Sequence, residues 1–213
     1  MNQKVEFITT DQVKIVADYY APKAASRKGV VLVHMMPATR NSWEEFAGKL
    51  QAVGYHALTI DLRGHGESGG GNFQRFSDAE HQASIRDLEA AAKFLGEKGA
   101  AELAVAGASI GANLALQYLA ENPETKAAVL LSPGLDYRGI QTPPLAARVS
   151  DKSKILFVGA EDDAASMGGS CEELVSELGI TAKICFAAGG HGTNLFQTHP
   201  ELPEALLDFL KQK

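Results

Sequence analysis

The fold is decided by one stretch, Leu103-Ala-Val-Ala-Gly-Ala-Ser-Ile-Gly-Ala-Asn-Leu-Ala-Leu-Gln-Tyr118. Its first four residues are apolar and predict a buried strand that stops at Gly107. The alanine- and leucine-rich residues after Gly111 predict a helix that Pro123 ends, since proline cannot continue a helix. Ser109 therefore lies in a Gly-x-Ser-x-Gly pattern on a strand-to-helix turn. The two glycines allow strand and helix to pass closely, and the hydroxyl projects beside the free N–H groups of the helix.

This turn resembles the nucleophile elbow of the α/β-hydrolase superfamily. The chain holds a second Gly-x-Ser-x-Gly pattern around Ser68, but that serine lies in a glycine run. No apolar strand precedes Ser68 and no helical pattern follows it, so the context selects Ser109. The alternative interpretation of Ser109 is a small polar residue that caps a helix N-terminus.

Size and composition are those of an ordinary globular protein. The chain has 213 residues, of which 45% are hydrophobic and 22% charged, with a net charge of −6. We see no basic stripe, which argues against nucleic acid as a partner. The N-terminus lacks the apolar core of a signal peptide, and no apolar stretch is long enough to span a bilayer, so we expect a cytoplasmic protein with no membrane partner. Cys171 and Cys185 lack metal-ligand spacing and are expected to be free thiols.

Apolar strands alternate with amphipathic helices along the chain. An opening hairpin is predicted around residues 10–12, and further strands at 29–34, 56–60, 103–106, 127–131, 155–160 and 181–186. Ser/Thr-x-x-Glu patterns predict helix starts at Ser42, Ser77, Ser170 and Thr198, and the helix after Ser77 is predicted to extend from about 78 to 95. The pattern predicts a mostly parallel, doubly wound sheet with an N-terminal antiparallel hairpin and helices on both faces. Residues 132–154 form a Pro-rich, loop-like segment that is too short for a full cap, so residues 1–213 are predicted to form a single domain.

In a doubly wound sheet, functional groups collect at the carboxyl ends of the strands. This rule brings the segments 34–37, 61–68, 107–111, 161–163 and 189–192 to one rim. A serine hydroxyl needs a base to take its proton and an acid to orient that base. His191 is the best candidate base because glycines flank it, and because it follows Ser109 and an acidic strand end in the superfamily order. The acid comes from 161–163. The superfamily resemblance favours Asp163, and counting from Gly159 would select Asp162 instead.

The resemblance also implies an oxyanion hole made of two backbone N–H groups. Ile110 follows the serine and supplies one of them. Relatives have His-Gly-x where this chain has His34-Met35-Met36, so Met36 would by position supply the other. Met35, Met36 and Tyr137 are expected to line the substrate site, although the two methionines would equally serve as core packing. Arg40 and Arg138 are expected to be surface charges rather than an anion site.

A further segment, Asp61-Leu-Arg-Gly-His-Gly-Glu-Ser68, is similar to the superfamily pattern Asp-x-Arg-Gly-x-Gly-x-Ser and is interpreted as structural. The resemblance as a whole implies an α/β-hydrolase that cleaves small carboxylic esters through an acyl-enzyme, with no metal and no cofactor. We expect a small-molecule ester as its partner, and a monomer or a homodimer. The alternatives are a thioesterase, peptidase, acyltransferase or perhydrolase with the same triad, or a non-catalytic binding module on a hydrolase scaffold.

Overall fold

The protein is organised around one eight-stranded sheet, in a computed structural model that describes residues 2–213. Its strands are β1 (Gln3–Ile8), β2 (Lys14–Tyr20), β3 (Lys28–Val33), β4 (His56–Ile60), β5 (Glu102–Ala108), β6 (Ala127–Leu131), β9 (Ile155–Ala160) and β10 (Ala182–Phe186), and a separate hairpin is formed by β7 (Asp136–Tyr137) and β8 (Ile140–Gln141). The helices are α1 (Glu44–Ala52), α2 (Asp78–Gln82), α3 (Ile85–Glu97), α4 (Ile110–Glu121), α5 (Thr142–Arg148), α6 (Ala164–Met167), α7 (Cys171–Leu178), α8 (Leu195–Thr198) and α9 (Leu202–Lys211).

The strand order is β1-β2-β4-β3-β5-β6-β9-β10. The strand β2 pairs antiparallel with β1 and with β4, and every other pair in this sheet is parallel. The register places Val33 beside Gly107, and Ala108 beside Leu131. The carboxyl ends of β3, β5 and β6 therefore lie at one rim, as the sequence predicted.

Helices cover both faces of the sheet, so the predicted doubly wound architecture is confirmed. One core cluster contains Leu88 and Leu95 of α3, with leucines of α4 and α7. The other contains Trp43, Phe46 and Leu50 next to or within α1, with the leucines of α9. The strands β4 and β6 are buried along their whole length and β3 is buried from Gly29 onward, which explains why their sequences are continuous apolar runs rather than alternating ones.

Two of the four predicted helix caps are formed. Ser77 and Ser170 each accept the N–H of a glutamate three residues later, whose carboxylate accepts the serine N–H in return. The prediction of a cap at Ser42 is wrong, because a 3-10 turn over Arg40–Trp43 directly precedes α1. Burial of Trp43 fixes that entry, and the Ser42 hydroxyl has no hydrogen-bond partner among the described residues.

The cap at Thr198 is also wrong. Thr198 ends α8, where its hydroxyl donates to the carbonyls of Gly189 (3.1 Å) and Leu195 (3.3 Å). The final helix α9 instead has Glu201 at its N-cap position. A third difference concerns the helix predicted from 78 to 95, which is interrupted after Gln82 and continues as α3 from Ile85.

The segment 132–154 is more ordered than the loop that the sequence predicted. It contains the hairpin of β7 and β8, then α5, and then a 3-10 turn over Lys152–Lys154. Two of the three prolines that suggested a loop, Pro143 and Pro144, lie in the first turn of α5, where a missing N–H breaks no helical hydrogen bond, and Pro133 precedes the hairpin. The helix α5 packs against α4 and α7. No helix among residues 2–213 combines the length and the apolar character needed to cross a bilayer.

The loop 61–68 is structural, as predicted. The Arg63 guanidinium is buried and pairs with Asp87 at 2.8 Å and with Asp11 at 2.7 Å. Gly66 is required, because a Cβ there would lie 2.1 Å from the Asp61 carboxylate.

Arg40 was expected to be a surface charge, and this expectation is wrong. Its side chain is 11% exposed and pairs with Asp18 and Asp61, partners that are distant in sequence.

The ion pair between Asp11 and Arg63 makes the free energy of unfolding depend on pH. The Arg63 guanidinium holds the pKa of Asp11 well below its usual range, whereas burial raises the pKa of Asp87 to about 6. A lowered carboxyl pKa stabilises the fold above the unfolded pKa of about 4, and this contribution is lost as the pH falls below that value.

We therefore expect Asp11→Asn to lower the free energy of unfolding by about 1–3 kcal/mol at pH 7. The difference from wild type should shrink as the pH falls below about 4. Urea unfolding at pH 7 and at stepwise lower pH measures both effects. A difference that stays constant with pH would contradict the role of the ion pair.

Candidate active site

Ser109 occupies a strained turn between β5 and α4. Its backbone has φ 55° and ψ −123°, values that favour glycine, and its side chain is buried. The Ser109 N–H donates to the Leu131 carbonyl at 2.9 Å, and the Ser109 carbonyl accepts the N–H of Ala112 at 2.8 Å. These bonds hold the serine in a conformation that it would not adopt alone.

The flanking glycines are needed for sterics. A Cβ on Gly107 would lie 2.0 Å from the Gly111 carbonyl oxygen. A Cβ on Gly111 would lie 2.6 Å from the carbonyl oxygen of Val33, in the neighbouring strand. Both positions therefore accept only glycine without backbone movement, which gives the Gly-x-Ser-x-Gly spacing its physical reason.

The strain at Ser109 is measurable apart from any activity. We expect Ser109→Gly to be more stable than Ser109→Ala by about 1 kcal/mol, because glycine alone adopts a positive φ without strain. The two variants are matched, since both lack the hydroxyl. Chemical denaturation of the pair measures the difference, and equal stabilities would show that the turn is unstrained.

Asp163 and His191 form the second part of the site. The Asp163 Oδ2 lies 2.7 Å from the His191 Nδ1, and the Asp163 side chain is 4% exposed. Asp163 lies at the end of a 3-10 turn over Glu161–Asp163 that directly follows β9. His191 lies beyond β10 and is 26% exposed. A buried carboxylate on Nδ1 fixes the imidazole and leaves its Nε2 to accept a proton.

Asp162, the alternative acid, is used differently. Its carboxylate accepts the N–H of Gly189 at 3.1 Å and that of Gly190 at 3.2 Å. Asp162 therefore fastens the loop that precedes His191, while its neighbour Asp163 contacts the imidazole.

Two contacts bring the histidine loop against the serine turn. A Cβ on Gly192 would lie 3.3 Å from the Cβ of Ala108, the residue before Ser109. Tyr137 adjoins both sides, because Ser109 lies near enough to its hydroxyl to lower the Tyr137 pKa, and its ring meets the His191 ring edge-on, with centroids 6.4 Å apart. The structure thus collects Ser109, Asp163 and His191 at the rim that the topology predicted.

Tyr137 stays neutral near pH 7. Burial raises its pKa to about 12, although the neighbouring Ser109 side chain lowers it in part. The Tyr137 hydroxyl donates to the Ser166 carbonyl at 2.8 Å. The side chain expected to line the substrate site therefore lies beside both Ser109 and His191.

Ser132 is a site residue that the sequence analysis missed. It is fully buried, has φ 50°, and accepts the Gly192 N–H on its hydroxyl at 2.9 Å. Its own N–H donates to the Val158 carbonyl at 2.7 Å. Ser132 follows the end of β6 at the same rim, and this position was the signal that could have revealed it.

The expected oxyanion loop has no strained methionine. Ile110 begins α4 directly after Ser109. Among the described residues, positive φ outside glycine occurs at Gln12, Ser109, Ser132 and Arg138, so Met35 fits the loop without the glycine found in relatives. The Met35 Sδ lies against Gly192, because a Cβ built on Gly192 would be 2.6 Å from this sulfur atom. Met36 packs against the core cluster that contains Leu88 and Leu95 of α3. The oxyanion role of Met36 and Ile110 stays a prediction.

Two other histidines at this rim have structural contacts. The His34 Nε2 accepts the Leu62 N–H at 3.0 Å and its Nδ1–H donates to the Met35 carbonyl at 2.9 Å. Burial lowers the pKa of His34 to about 4, so it is neutral at pH 7.

His65 is stacked on Phe73 and hydrogen-bonded to the Arg63 carbonyl, and burial lowers its pKa as well. The Ser68 hydroxyl donates to the Asp61 carbonyl at 2.7 Å, as a loop-ordering residue would.

Residues 24–160 match the model of the serine aminopeptidase S33 family of hydrolases. The chain belongs to this family. The matched region includes the Ser109 turn and ends before both Asp163 and His191. Membership makes the protein an α/β hydrolase and confirms the resemblance seen in its sequence motifs.

Solved structures support the same fold. An esterase from Pyrococcus furiosus has a TM-score of 0.80 at 20% identity, covering 100% of this chain and 91% of that one. An α/β serine hydrolase homologue from Coxiella burnetii has a TM-score of 0.75 at 18% identity, covering 98% and 97%. A predicted CIB-like hydrolase from Thermoplasma acidophilum has a TM-score of 0.71 at 18% identity, covering 100% and 99%. Identities this low establish the shared fold of this S33-family member rather than its substrate.

Proposed function

We propose that this S33-family protein is a serine hydrolase that cleaves small carboxylic esters through an acyl-enzyme. The observation that carries the proposal is a strained Ser109 turn packed against a histidine loop whose imidazole is paired with buried Asp163. Backbone strain and a buried carboxylate–imidazole pair each cost free energy, and they recur together where a hydroxyl must be activated.

Three side chains and two backbone N–H groups carry the proposed reaction. His191 Nε2 takes the Ser109 proton as the serine oxygen attacks the ester carbonyl, and Asp163 stabilises the resulting imidazolium. The N–H groups of Ile110 and Met36 stabilise the negative oxygen of the tetrahedral intermediate. The imidazolium then protonates the departing alcohol. Water, deprotonated by His191, attacks the acyl-enzyme and releases the acid and Ser109.

The hairpin and helix of residues 132–154 support a small substrate. The helix α5 packs against α4 and α7, and Tyr137 of the hairpin lies directly beside His191. This short segment takes the chain position at which larger relatives carry a cap. We therefore propose that short-chain soluble esters are the substrates, with Met35, Met36 and Tyr137 next to the acyl group.

The test is a matched panel of a short-chain ester, the corresponding thioester and the corresponding anilide or amino-acid amide. We expect kcat/KM to be higher for the ester than for the amide, because an alcohol leaves with less assistance from the acid form of His191 than an amine does, and to be at least as high for the ester as for the thioester. A preference for the amide with a free α-amino group would instead assign a peptidase. A preference for the thioester would assign a thioesterase, and inactivity towards all three classes would favour a binding module.

A further inference from the structure

A second cluster of reactive side chains lies behind the acid turn. The Sγ atoms of Cys171 and Cys185 and a carboxylate oxygen of Glu161 all lie within 4.8 Å of one another. We propose that these three side chains form a binding site for a thiophilic divalent cation, with Zn²⁺ as the fitting ion. This site is independent of the proposed esterase chemistry and departs from the expectation that Cys171 and Cys185 are free thiols without metal-ligand spacing.

The fold brings these residues together although they are far apart in sequence. Cys185 lies in β10, where it pairs in register with Gly159 of β9. A Cβ on Gly159 would lie 3.0 Å from the Cys171 Sγ. The missing side chain at Gly159 therefore leaves the space in which the thiol of Cys171, the first residue of α7, reaches β10. Glu161 follows two residues after Gly159 and supplies the third donor.

The donor types suit zinc. Two thiolates and one carboxylate are ordinary Zn²⁺ ligands. Tetrahedral zinc places its ligand atoms about 3.5–3.8 Å apart, so the three donor atoms, which lie within 4.8 Å of one another, need to approach by about 1 Å at most. Side-chain rotation of exposed Glu161 and partly exposed Cys185 can supply that movement. The exposure of Glu161 leaves a water molecule as the natural fourth ligand.

Binding also has a defined proton balance. Zinc is held by thiolates, so one Zn²⁺ replaces the S–H protons of Cys171 and Cys185, and about two protons are released per ion.

The proposed cation site shares a turn with the acid of the candidate active site. Glu161 begins the same 3-10 turn that carries Asp163 to His191. A bound ion would connect this turn to α7 and β10. Such a crosslink between three elements stabilises the folded state, because the unfolded chain does not hold the three ligands together.

The test uses the full, tag-free chain and Zn²⁺ itself. We expect one Zn²⁺ per chain by equilibrium dialysis, about two protons released per ion in unbuffered titration, and a rise in Tm of about 5–10 °C at a hundredfold excess over Kd. Co²⁺ substituted for Zn²⁺ should give thiolate-to-metal charge-transfer absorption. Cys185→Ser should weaken binding by at least about 100-fold, and Glu161→Gln by about 10-fold or more.

Glu177→Gln is the matched control, because Glu177 is an exposed carboxylate of α7 outside the cluster. It should bind Zn²⁺ as the wild type does. Cys185→Ser is preferred to a change at fully buried Cys171, since a partly exposed position is less liable to unfold. Absence of stoichiometric uptake would overturn the proposal, as would equal uptake by Cys185→Ser. Loss of two hydrogens on mild peroxide treatment, without metal uptake, would instead assign a redox disulfide and overturn it.

Discussion

Replacement of Ser109 by alanine is expected to lower kcat on a short-chain aryl ester by about 10⁴-fold or more. The variant loses the only atom that forms the proposed acyl-enzyme, whereas the Asp163–His191 pair and the backbone of the turn remain. KM should change little, because the hydroxyl contributes to bond formation rather than to substrate binding. Steady-state kinetics on the purified variant, with contamination checked by active-site titration, measures the loss.

Ser68→Ala is the matched control for this experiment. Ser68 lies in the second Gly-x-Ser-x-Gly pattern, yet its hydroxyl donates to the Asp61 carbonyl and accepts the Val16 N–H at 2.9 Å. Its loss should lower stability and leave kcat near the wild-type value at a temperature where the variant is folded. Wild-type turnover in Ser109→Ala, or loss of turnover only in Ser68→Ala, would contradict the assignment of the nucleophile.

The two neighbouring aspartates are expected to differ sharply. Asp163→Asn should lower kcat by about 10³–10⁴-fold, because an amide on His191 Nδ1 no longer stabilises the imidazolium and favours the wrong tautomer. Asp162→Asn should have a much smaller effect. An asparagine oxygen still accepts the N–H groups of Gly189 and Gly190 that now bond to the Asp162 carboxylate.

The comparison uses kcat on the same ester for both variants, with circular dichroism as the check on folding. Each substitution removes one charge from one turn, so the pair controls for net charge and position. If Asp162→Asn were the more damaging change, the structural interpretation of the acid turn would be incorrect, and Asp162 would take the role proposed for Asp163.

Local patterns predicted the features that depend on local geometry. The Ser109 turn was accessible from the sequence because a strand, a tight turn and a helix each have their own residue pattern. Helix caps were less accessible. The Ser77 and Ser170 boxes formed, but the similar patterns at Ser42 and Thr198 did not, because burial of Trp43 and the packing of α8 determine where those helices begin.

Features made by distant residues were not accessible from the sequence. Arg40 is held by Asp18 and Asp61, and nothing near Arg40 in sequence indicates these partners. The contact of Ser132 with Gly192 joins residues 60 positions apart. The same holds for Cys171 and Cys185, which come together only because Gly159 lacks a side chain between them. The choice between Asp162 and Asp163 likewise needed the position of the imidazole rather than a residue count.

The central claim is that Ser109 is an activated nucleophile, and a fluorophosphonate probe tests it most directly. The probe forms a covalent phosphonyl adduct with a serine only where a base removes the hydroxyl proton. We predict one adduct per chain, mapped by peptide mass spectrometry to Ser109, absent in Ser109→Ala and formed far more slowly in His191→Ala. No adduct in the folded wild-type protein, or an adduct at Ser68 instead, would contradict the account.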